Sequence, residues 1–449
     1  MRVIADLHIH SKYSRATSKQ MEPVVLAHWA EKKGINLIAT GDFTHPRYLS
    51  ELKSTLMEDG SGFLRLKNDE SIDPKSKVKE AKSLHNSSKD FDLGFFNLDY
   101  SVETKFILSG EISCIYKEKG RTRRIHLLIL VPDFKTADKI IATLEKYKCN
   151  LKSDGRPIVG LSAKKIAEIC FEANEKTLVV PAHAWTPWFA IFGSKSGYDS
   201  MEECFEELTP KIFAIETGLS SDPAMNWRLS CLDKITFISN SDAHSPSNIG
   251  REANVFEFEK FNYAELYEAL KYQDKKKFLY TIEFFPEEGK YHYDGHASCK
   301  FVCSSEESKK LNNNCPVCKK ELVLGVDHRV NALADRTAGF VPDNKIPYKS
   351  LVPLQEIIAE CLRKKKGGKG PNEYYETMIK RGVNEFNILL NLTREQIKNI
   401  SDDRIAEAIV RVREGRIFSQ PGYDGVYGVI HVFSEQEQKK MEPMQSKLF

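Results

Sequence analysis

Short apolar runs recur along roughly the first 245 residues, and segments with helical periodicity lie between several of them. One such segment, residues 22–34, is amphipathic and ends at Gly34, a residue type common at helix C-termini. Near-continuous apolar strands that alternate with helices are typical of a parallel sheet covered on both faces. Seven such runs predict a TIM-like α/β barrel rather than a small open sheet. The predicted strands are residues 2–10, 35–43, 105–113, 124–132, 177–184, 212–218 and 235–244.

Changes in composition divide the rest of the chain into smaller units. Turn-rich sequence begins near residue 286, and helical patterns dominate from about residue 345. The predicted organisation is a barrel at 1–285 with a charged insertion at 46–104, a small module at 286–335, a helical region at 336–440 and a flexible tail at 441–449.

Composition and charge narrow the class of protein. A hydrophobic content of 41% and a charged content of 29% are typical of a soluble globular protein. The net charge of +3 is too small to indicate a nucleic-acid partner by itself, so any basic surface must be local. No apolar run is long enough to cross a bilayer, and the chain begins directly with a predicted strand. We therefore expect a cytoplasmic protein with no membrane partner.

Histidines and carboxylates stand at the ends of the predicted strands, where barrel enzymes carry their chemistry. Imidazoles and carboxylates gathered at one rim suit two or three transition-metal ions. A single histidine is more often structural, but eight candidates at corresponding positions favour a metal site. Glu111 is placed to bridge two ions about 3.5–4 Å apart. The candidates are His8, His10, Asp42, Glu111, His126, His183, Asp242 and His244.

Four of the ten cysteines are clustered in the pattern C-x3-C-x11-C-x2-C. Cysteine pairs this close suit a closed tetrahedral zinc site that stabilises a small loop-rich module. Disulfides are the alternative, but a reducing cytoplasm disfavours them. The predicted zinc ligands are Cys299, Cys303, Cys315 and Cys318.

Two basic stretches follow the module, at 363–369 and 411–416. Together with Tyr374, Tyr375 and Tyr423 they are suited to bind a phosphate backbone and stack on bases. The alternative is a solvated helix face, which a charge run usually is.

The motifs DLHIHSKYS, GDFTH, GEIS, PAHAW and SDAH, in this order, resemble the PHP (polymerase and histidinol phosphatase) superfamily. The resemblance implies a distorted (β/α)7 barrel with a two- or three-metal phosphoesterase site, for which we expect zinc together with magnesium or manganese. It places one ion on His8, His10, Glu111 and Asp242, and a second on Glu111, His126 and His183. His244 would face a third ion.

Two positions differ from the superfamily pattern at that third ion. Arg15 stands where many relatives carry Asp or His, and Phe43 stands where they carry His. His45 is the substitute ligand nearest in sequence. The resemblance therefore implies two ions more strongly than three.

The whole domain order resembles the endonuclease Q family, through the further blocks PAHAWTPWFAIFGSKSGYDS, HRVNALADR and REGRIFSQPGYDGVYG. This resemblance implies a DNA repair enzyme that flips a damaged base and nicks the backbone on its 5′ side by metal-activated water. The lesions implied are deoxyuridine, deoxyinosine, deoxyxanthosine and abasic sites, and the location implied is the nucleoid. The catalytic residues would be Asp242, Glu111 and His10.

The loop after the fifth predicted strand is rich in aromatic and small polar residues. A pocket that donates to a carbonyl and accepts from the neighbouring ring N–H would take deaminated bases alike. We assign that pocket to this loop, although its rings also suit a barrel core. The assigned residues are Trp185, Trp188, Phe189, Phe192, Gly193, Ser194 and Lys195.

The chain ends in MEPMQSKLF, in which Gln445, Leu448 and Phe449 resemble the short motif that binds replication sliding clamps, bacterial or archaeal. A disordered polar tether with two apolar side chains suits a preformed cleft. A frayed terminus is the alternative.

Two other functions share parts of this pattern. A small-molecule phosphatase, such as a histidinol-phosphate hydrolase, has the same metal motifs but no use for a zinc module or basic stretches. A non-catalytic DNA-binding scaffold would keep the barrel without its activity, although the intact ligand set argues against it.

Overall fold

The computed structural model describes residues 1–67 and 103–441. Most of the predicted insertion, at 68–102, lies outside the described residues, as do Gln445, Leu448 and Phe449 of the predicted clamp motif. In the described part of the chain, no helix has the length and apolar character needed to span a membrane.

Seventeen strands are formed by the described residues, and most are short. They are β1 (Arg2–Asp6), β2 (Leu37–Ala39), β3 (Leu56–Glu58), β4 (Leu64–Leu66), β5 (Lys105–Glu118), β6 (Arg121–Val131), β7 (Ile158–Val159), β8 (Leu178–Pro181), β9 (Ala214–Glu216), β10 (Thr236–Ile238), β11 (Ala253–Glu257), β12 (Phe278–Glu283), β13 (Asp294–His296), β14 (Phe301–Cys303), β15 (Tyr348–Ser350), β16 (Phe418–Gln420) and β17 (Val429–His431).

The α-helices fall between these strands and dominate the C-terminal part. They are α1 (Pro23–Lys33), α2 (Pro46–Thr55), α3 (Phe134–Lys146), α4 (Ala163–Ala173), α5 (Met201–Phe205), α6 (Pro223–Asn226), α7 (Tyr263–Tyr272), α8 (Ser305–Lys310), α9 (Val326–Leu333), α10 (Leu354–Leu362), α11 (Lys369–Gly382), α12 (Arg394–Ile400), α13 (Asp403–Arg413) and α14 (Glu435–Lys440).

The sheet is mixed, which corrects the prediction that all of its strands run parallel. β1, β2 and β5 are parallel neighbours, but β6 pairs antiparallel with both β5 and β8. β5 and β6 form one long hairpin, closed by Lys119 and Gly120 with φ values of 47° and 78°. Two left-handed residues in a row make a tight turn that suits a hairpin and leaves no room for a crossover helix. The α/β fold class itself is confirmed.

Several strands end at one rim of the barrel, and the loops that follow these strands contact each other at that rim. The loop after β1 meets the loop after β10 through a bridge between Ile9 and Ala243, in which His10 N–H donates to the Ala243 carbonyl at 3.0 Å. β10 itself is parallel to β9. The end of β1 is thereby brought to the ends of β9 and β10, although more than 200 residues of chain separate it from them.

The C-terminal helices share one apolar core with the barrel. Lys33 of α1 is buried and pairs with Glu385 at 2.7 Å, and Tyr375 of α11 donates to the same carboxylate at 2.8 Å. β15 runs parallel to β12 at the edge of the main sheet. The boundary at residue 286 stays a prediction, but the sheet continues on both sides of it, and residues 284–347 lie between two paired strands.

Candidate metal centre

The carboxylate of Glu111 lies at the centre of the polar cluster and faces a different pair of histidines with each oxygen. Its Oε2 lies 3.8 Å from His8 Nε2 and 3.3 Å from His10 Nε2. Its Oε1 lies 2.7 Å from His126 Nδ1 and 3.1 Å from His183 Nε2. This is the arrangement of a carboxylate that bridges two ions, one beside each histidine pair.

Asp242 completes the first half of the cluster. Its Oδ1 lies 3.1 Å from His10 Nε2 and 4.0 Å from His8 Nε2. The ligand atoms within each of three groups lie within 4.8 Å of one another. The groups are His8, His10 and Glu111; His10, Asp242 and His244; and Glu111, His126 and His183.

Several atoms of this cluster are buried without a hydrogen-bond partner among the described residues. They are His8 Nε2, His10 Nε2 and Asp242 Oδ1. Such an atom costs about 1–3 kcal/mol when nothing satisfies it. A divalent cation between them would satisfy all three, and imidazole with carboxylate is a donor set that transition metals accept. The residues present therefore fit a metal centre.

Three residues that follow strands at the rim share an unusual backbone conformation. Asp42, His183 and Asp242 have φ values of 48°, 31° and 46°, in the left-handed region. Such strain in residues other than glycine collects at functional sites, where the surrounding structure holds it in place. The strain supports a functional role for this rim.

Asp42 was predicted as a metal ligand, but it lies outside all three ligand groups. Its carboxylate accepts hydrogen bonds from the Ser11 backbone and hydroxyl, at 2.7 and 2.6 Å, and from the Ser14 hydroxyl at 2.9 Å. Its other oxygen lies 3.2 Å from His10 Nδ1. A carboxylate with these partners orients the imidazole of a ligand rather than binding the ion.

Glu216 has the same role for the imidazole of His8 and also binds the backbone of His183, and it was not among the predicted residues. Its carboxylate lies 3.0 and 3.1 Å from His8 Nδ1 and accepts the His183 backbone N–H at 2.8 Å. One buried side chain thus ties both halves of the centre together. The signal was present, because Glu216 is the polar residue near the end of an apolar run, like the predicted ligands.

Arg156 is the second residue that the sequence analysis missed. Its Nη1 lies 3.0 Å from Glu111 Oε2. The preceding Gly155 packs against Asp42, where a Cβ would collide with the carboxylate. Arg15, the departure from the superfamily pattern, pairs with Asp154 at 3.2 Å in the same loop. The loop therefore delivers one guanidinium to the edge of the centre.

The predicted third ion has weaker support from the geometry. His244 stacks near His10, with ring centroids 4.5 Å apart, and its side chain is about one-third exposed. His45, the substitute ligand, instead caps α2 by accepting from the Tyr48 backbone N–H at 3.4 Å. It lies outside the ligand groups of the described residues.

Against the effect of burial, the neighbouring carboxylates raise the pKa of His8, His10 and His183 above the ordinary value, and a bound cation would take the place of those protons. Burial lowers the pKa of His126 to about 4, so its imidazole is neutral and has a free lone pair. Burial alone would raise the pKa of Glu111, but the guanidinium of Arg156 and a hydrogen bond from His10 hold it well below its ordinary value. A neutral imidazole and an ionised carboxylate are the forms that bind metal ions.

The structure separates the residues assigned to the base pocket. Trp185 and Phe192 belong to the core: their rings lie 4.8 Å apart, and Trp185 Nε1 donates to Asn226 Oδ1 at 2.7 Å. Gly193 is buried beside the backbone of Thr186. Trp185 and Phe192 pack the loop, as the alternative interpretation held, and are not available to a base, whereas Gly193 also lines the polar pocket formed by Ser194 and Lys195.

The other four assigned residues lie at the surface of the same loop. Phe189 is half-buried with its ring 4.6 Å from that of His126, and Trp188 is half-buried against Tyr291. Ser194 and Lys195 line a polar pocket of about 430 Å³ beside the tip of the β5–β6 hairpin. Arginines dominate the rest of its wall: Arg121, Arg123, Arg124 and Arg329.

The small module gathers His296 with three of the four predicted cysteines into a group that could hold a metal ion. His296 Nδ1 lies 3.1 Å from Cys299 Sγ and 3.3 Å from Cys318 Sγ, and Cys315 completes the group. Desolvation opposes ionisation of Cys315, but backbone N–H groups at 317 and 318 lower its thiol pKa to about 7.

Cys303 is replaced in this group by His296. It ends β14, where strand alternation turns its neighbour Val302 to solvent and its own side chain inward. There it packs against Cys315 and Leu322 in a small apolar cluster. The spacing of cysteines cannot distinguish a ligand from a buried cysteine beside one.

The arginines of the second basic stretch, 411–416, are used within the protein, whereas the lysines of 363–369 are exposed. The guanidinium of Arg413 donates to the carbonyls of residues 388, 389 and 392, all at 2.7 Å. Arg411 pairs with Glu407 and Glu437. The block at 328–336 fastens the module to the barrel, since Arg329 donates to the Phe192 carbonyl at 2.9 Å. These arginines stabilise the fold.

Comparison with known proteins agrees with this geometry. Family models described as the MJ0043 C-terminal domain and as PHP-associated match residues 353–416 and 233–273. The protein MJ0043 of Methanocaldococcus jannaschii is 32% identical over 255 residues, which are 55% of this chain and 31% of that protein. The chain thus spans about a third of that relative. YqxK of Bacillus subtilis is 27% identical over 444 residues, 96% of this chain and 99% of that protein.

Two solved structures match almost the whole chain. One is the lesion-specific endonuclease PfuEndoQ from Pyrococcus furiosus, with 30% identity, a TM-score of 0.80 and 98% of both chains covered. The other is endonuclease Q in complex with a 27-mer duplex that carries an abasic lesion at the active site. It has 30% identity and a TM-score of 0.81, and the match covers 98% of this chain and 99% of that one. The chain belongs to the endonuclease Q family.

Proposed function

We propose that this protein is a metal-dependent endonuclease that cuts one strand of DNA beside a damaged nucleotide. The observation that carries the proposal is the position of Glu111 between two histidine pairs. That position suits a two-ion phosphodiesterase, and it occurs in a chain that matches an abasic-site endonuclease over 98% of its length. An abasic site is the first lesion expected.

The residues of the centre divide into two roles. Ions bound by His8, His10, Glu111, Asp242, His126 and His183 would activate a water and neutralise charge on the phosphate. Glu216 and Asp42 fix the imidazole rings so that their lone pairs face the ions. Asp242, Glu111 and His10 are accordingly proposed as catalytic residues, and the centre is proposed to hold zinc together with magnesium or manganese.

Arg156 is proposed to bind the scissile phosphate. Its guanidinium lies at the edge of the centre beside Glu111. When Glu111 is engaged by cations on both oxygens, the charge that holds Arg156 is neutralised, and a phosphate oxygen becomes its best partner. A planar guanidinium binds two phosphate oxygens at once, which orients the bond to be broken.

Damage recognition is proposed to involve the rim beside His126. Phe189 and Trp188 are half-buried rings next to the centre and suit stacking on an extruded base. Ser194 and Lys195 offer polar groups in the adjoining pocket. On this basis we propose that deoxyuridine, deoxyinosine and deoxyxanthosine are also substrates, with cleavage on their 5′ side.

Other parts of the proposal concern stability and location. The group His296, Cys299, Cys315 and Cys318 is proposed to hold one structural zinc. Gln445, Leu448 and Phe449 are proposed to bind a sliding clamp, which would place the enzyme near replicating DNA in the nucleoid.

The decisive experiment uses end-labelled duplexes with one abasic site, deoxyuridine or deoxyinosine, and an undamaged duplex as control. We expect a single nick 5′ to each lesion in the presence of divalent ions and none in the control. Nitrophenyl phosphate is tested in parallel. Hydrolysis of that ester without nicking of any duplex would favour a small-molecule phosphatase, and binding without nicking would favour a scaffold.

A further inference from the structure

Exposed apolar side chains are concentrated on one hairpin near the C-terminus. We call residues 418–431, which comprise β16, β17 and their connection, the apolar ribbon. Thirteen large apolar side chains are exposed in the described part of the chain, and four of them belong to this ribbon. They are Phe418, Val426, Tyr427 and Val429, of which Tyr427 is the most exposed at 59%. Apolar side chains gathered this way on a surface usually mark a binding site.

The backbone of the ribbon is held in place by hydrogen bonds, although its four large apolar side chains are exposed. Backbone N–H groups of Gly422, Gly425 and Gly428 donate to carbonyls of residues 287, 290 and 288, at 2.7, 3.0 and 3.0 Å. A Cβ at Gly428 would collide with the carbonyl of residue 287, so the two backbones meet where only glycine fits. The tip is therefore fixed to segment 287–293 by main-chain bonds and does not swing as a loose loop.

The ribbon tip adjoins the rim of the metal centre. Gly425 lies beside the hydroxyl of Tyr291, whose ring meets that of Trp188 at 5.7 Å between centroids. Trp188 lies in the loop that begins with His183, a ligand of the centre. The ammonium group of Lys290 lies 4.4 Å from the ring centre of Tyr427, so a positive charge accompanies the apolar tip.

We propose that the apolar ribbon is a wedge that opens the DNA duplex at the lesion, with Val426 and Tyr427 filling the gap left by the extruded nucleotide. This inference rests on the proposed function. A two-stranded ribbon is narrow enough to enter a DNA groove, and apolar side chains inserted between base steps unstack them. Lys290 supplies a cation for the flanking phosphates. Rigidity is required because a mobile tip would yield before the base stack does.

The test compares Tyr427→Ala with Tyr272→Ala, a control tyrosine on α7 that is 66% exposed. Nicking is measured on an abasic duplex and on a second duplex with a gap opposite the lesion, where no base stack has to be opened. We expect Tyr427→Ala to lose about tenfold or more on the full duplex, by analogy with loss of a base-stacking ring, and to lose little on the gapped one. Equal losses on both substrates, or none on either, would overturn the proposal.

A second measurement does not depend on cleavage. Asp242→Ala enzyme is mixed with an abasic duplex that carries 2-aminopurine opposite the lesion, whose fluorescence rises on unstacking. Introducing Tyr427→Ala into the Asp242→Ala enzyme should abolish most of that fluorescence rise. Introducing Tyr272→Ala instead should leave the rise unchanged. If wild-type enzyme nicks both duplexes and the two tyrosine variants behave alike, the wedge role of the ribbon is contradicted, but the proposed function is not. If wild-type enzyme nicks neither, the proposed function fails with it.

Discussion

The two candidate metal sites of this protein are built on opposite principles. The barrel centre lies within a large apolar core, and its candidate ligands come from β5, β6 and the segments that follow β1, β8 and β10. The site in the module has a core of only Cys303, Cys315 and Leu322, beside two short hairpin strands. A fold with its own large core does not need its ions for stability, whereas a module this small does. The difference predicts a catalytic role for the first site and a structural role for the second.

The largest effect is expected from Glu111→Gln. The amide cannot bridge two cations, so nicking of an abasic duplex should fall by about a thousandfold, because bound metal supplies several kcal/mol of transition-state stabilisation. The melting temperature should stay within a few degrees of wild type, since strand pairing around Glu111 is unchanged. Glu103→Gln, at an exposed position before the same strand, is the matched control. Substantial residual activity would show that Glu111 does not join two ions.

The ligand set of the module is tested by His296→Ala against Cys303→Ala. Loss of His296 should weaken zinc binding by at least about a hundredfold and unfold the module locally, because the imidazole is a direct ligand. Loss of Cys303 should destabilise the small core by only about 1 kcal/mol and leave zinc in place. Zinc content of the purified variants decides between them. Release of zinc from Cys303→Ala but not from His296→Ala would restore the four-cysteine site.

A smaller effect is expected from Glu216→Gln, which keeps the shape of the side chain but weakens its hold on the His8 ring. Partners of this kind typically change metal affinity or activity by about 10- to 100-fold. The activity should return when the divalent ion concentration is raised, because the ligands themselves remain. Glu202→Gln, at an exposed position, is the control. A loss that added metal does not reverse would contradict a positioning role.

The smallest effect concerns the interior of the barrel. Burial is the main cause that raises the pKa of Glu283 from 4.5 to about 8. Between these two values the folded protein binds more protons than the unfolded chain, so stability is complete below the window and falls as pH rises through it. Melting temperatures from pH 5 to 9 should therefore decline less steeply for Glu283→Gln than for wild type.

The control for this pH series is Glu202→Gln, which should keep the wild-type slope. Zinc in the module should be unaffected by Glu283→Gln, since the buried carboxylate belongs to the barrel alone. Identical slopes for all three proteins would mean that Glu283 is already ionised in the folded state.

The candidate ligands of the barrel centre could be named from the sequence because each lies in or just after a strand of strong apolar character. Glu216 had the same signal, but a buried carboxylate that orients a ligand looks in sequence like one that binds the ion. Asp42 is the converse case: it was predicted to bind an ion, but in the structure its carboxylate contacts the imidazole of His10. Arg156 had no signal at all, since it comes from an irregular loop whose path depends on the fit of Gly155 against Asp42.

The sequence by itself determined the α/β class, and it indicated candidate ligands in and after the strands and a cysteine-rich module, because periodicity and residue chemistry are local properties. Tertiary structure decided which polar groups meet. It made β5 and β6 an antiparallel hairpin, put His296 in place of Cys303, and turned Trp185 and Phe192 into core. It also bound the arginines near residue 411 to carbonyls and carboxylates of the protein itself. These outcomes depend on distances between residues far apart in the chain, and distance is fixed only when the core has packed.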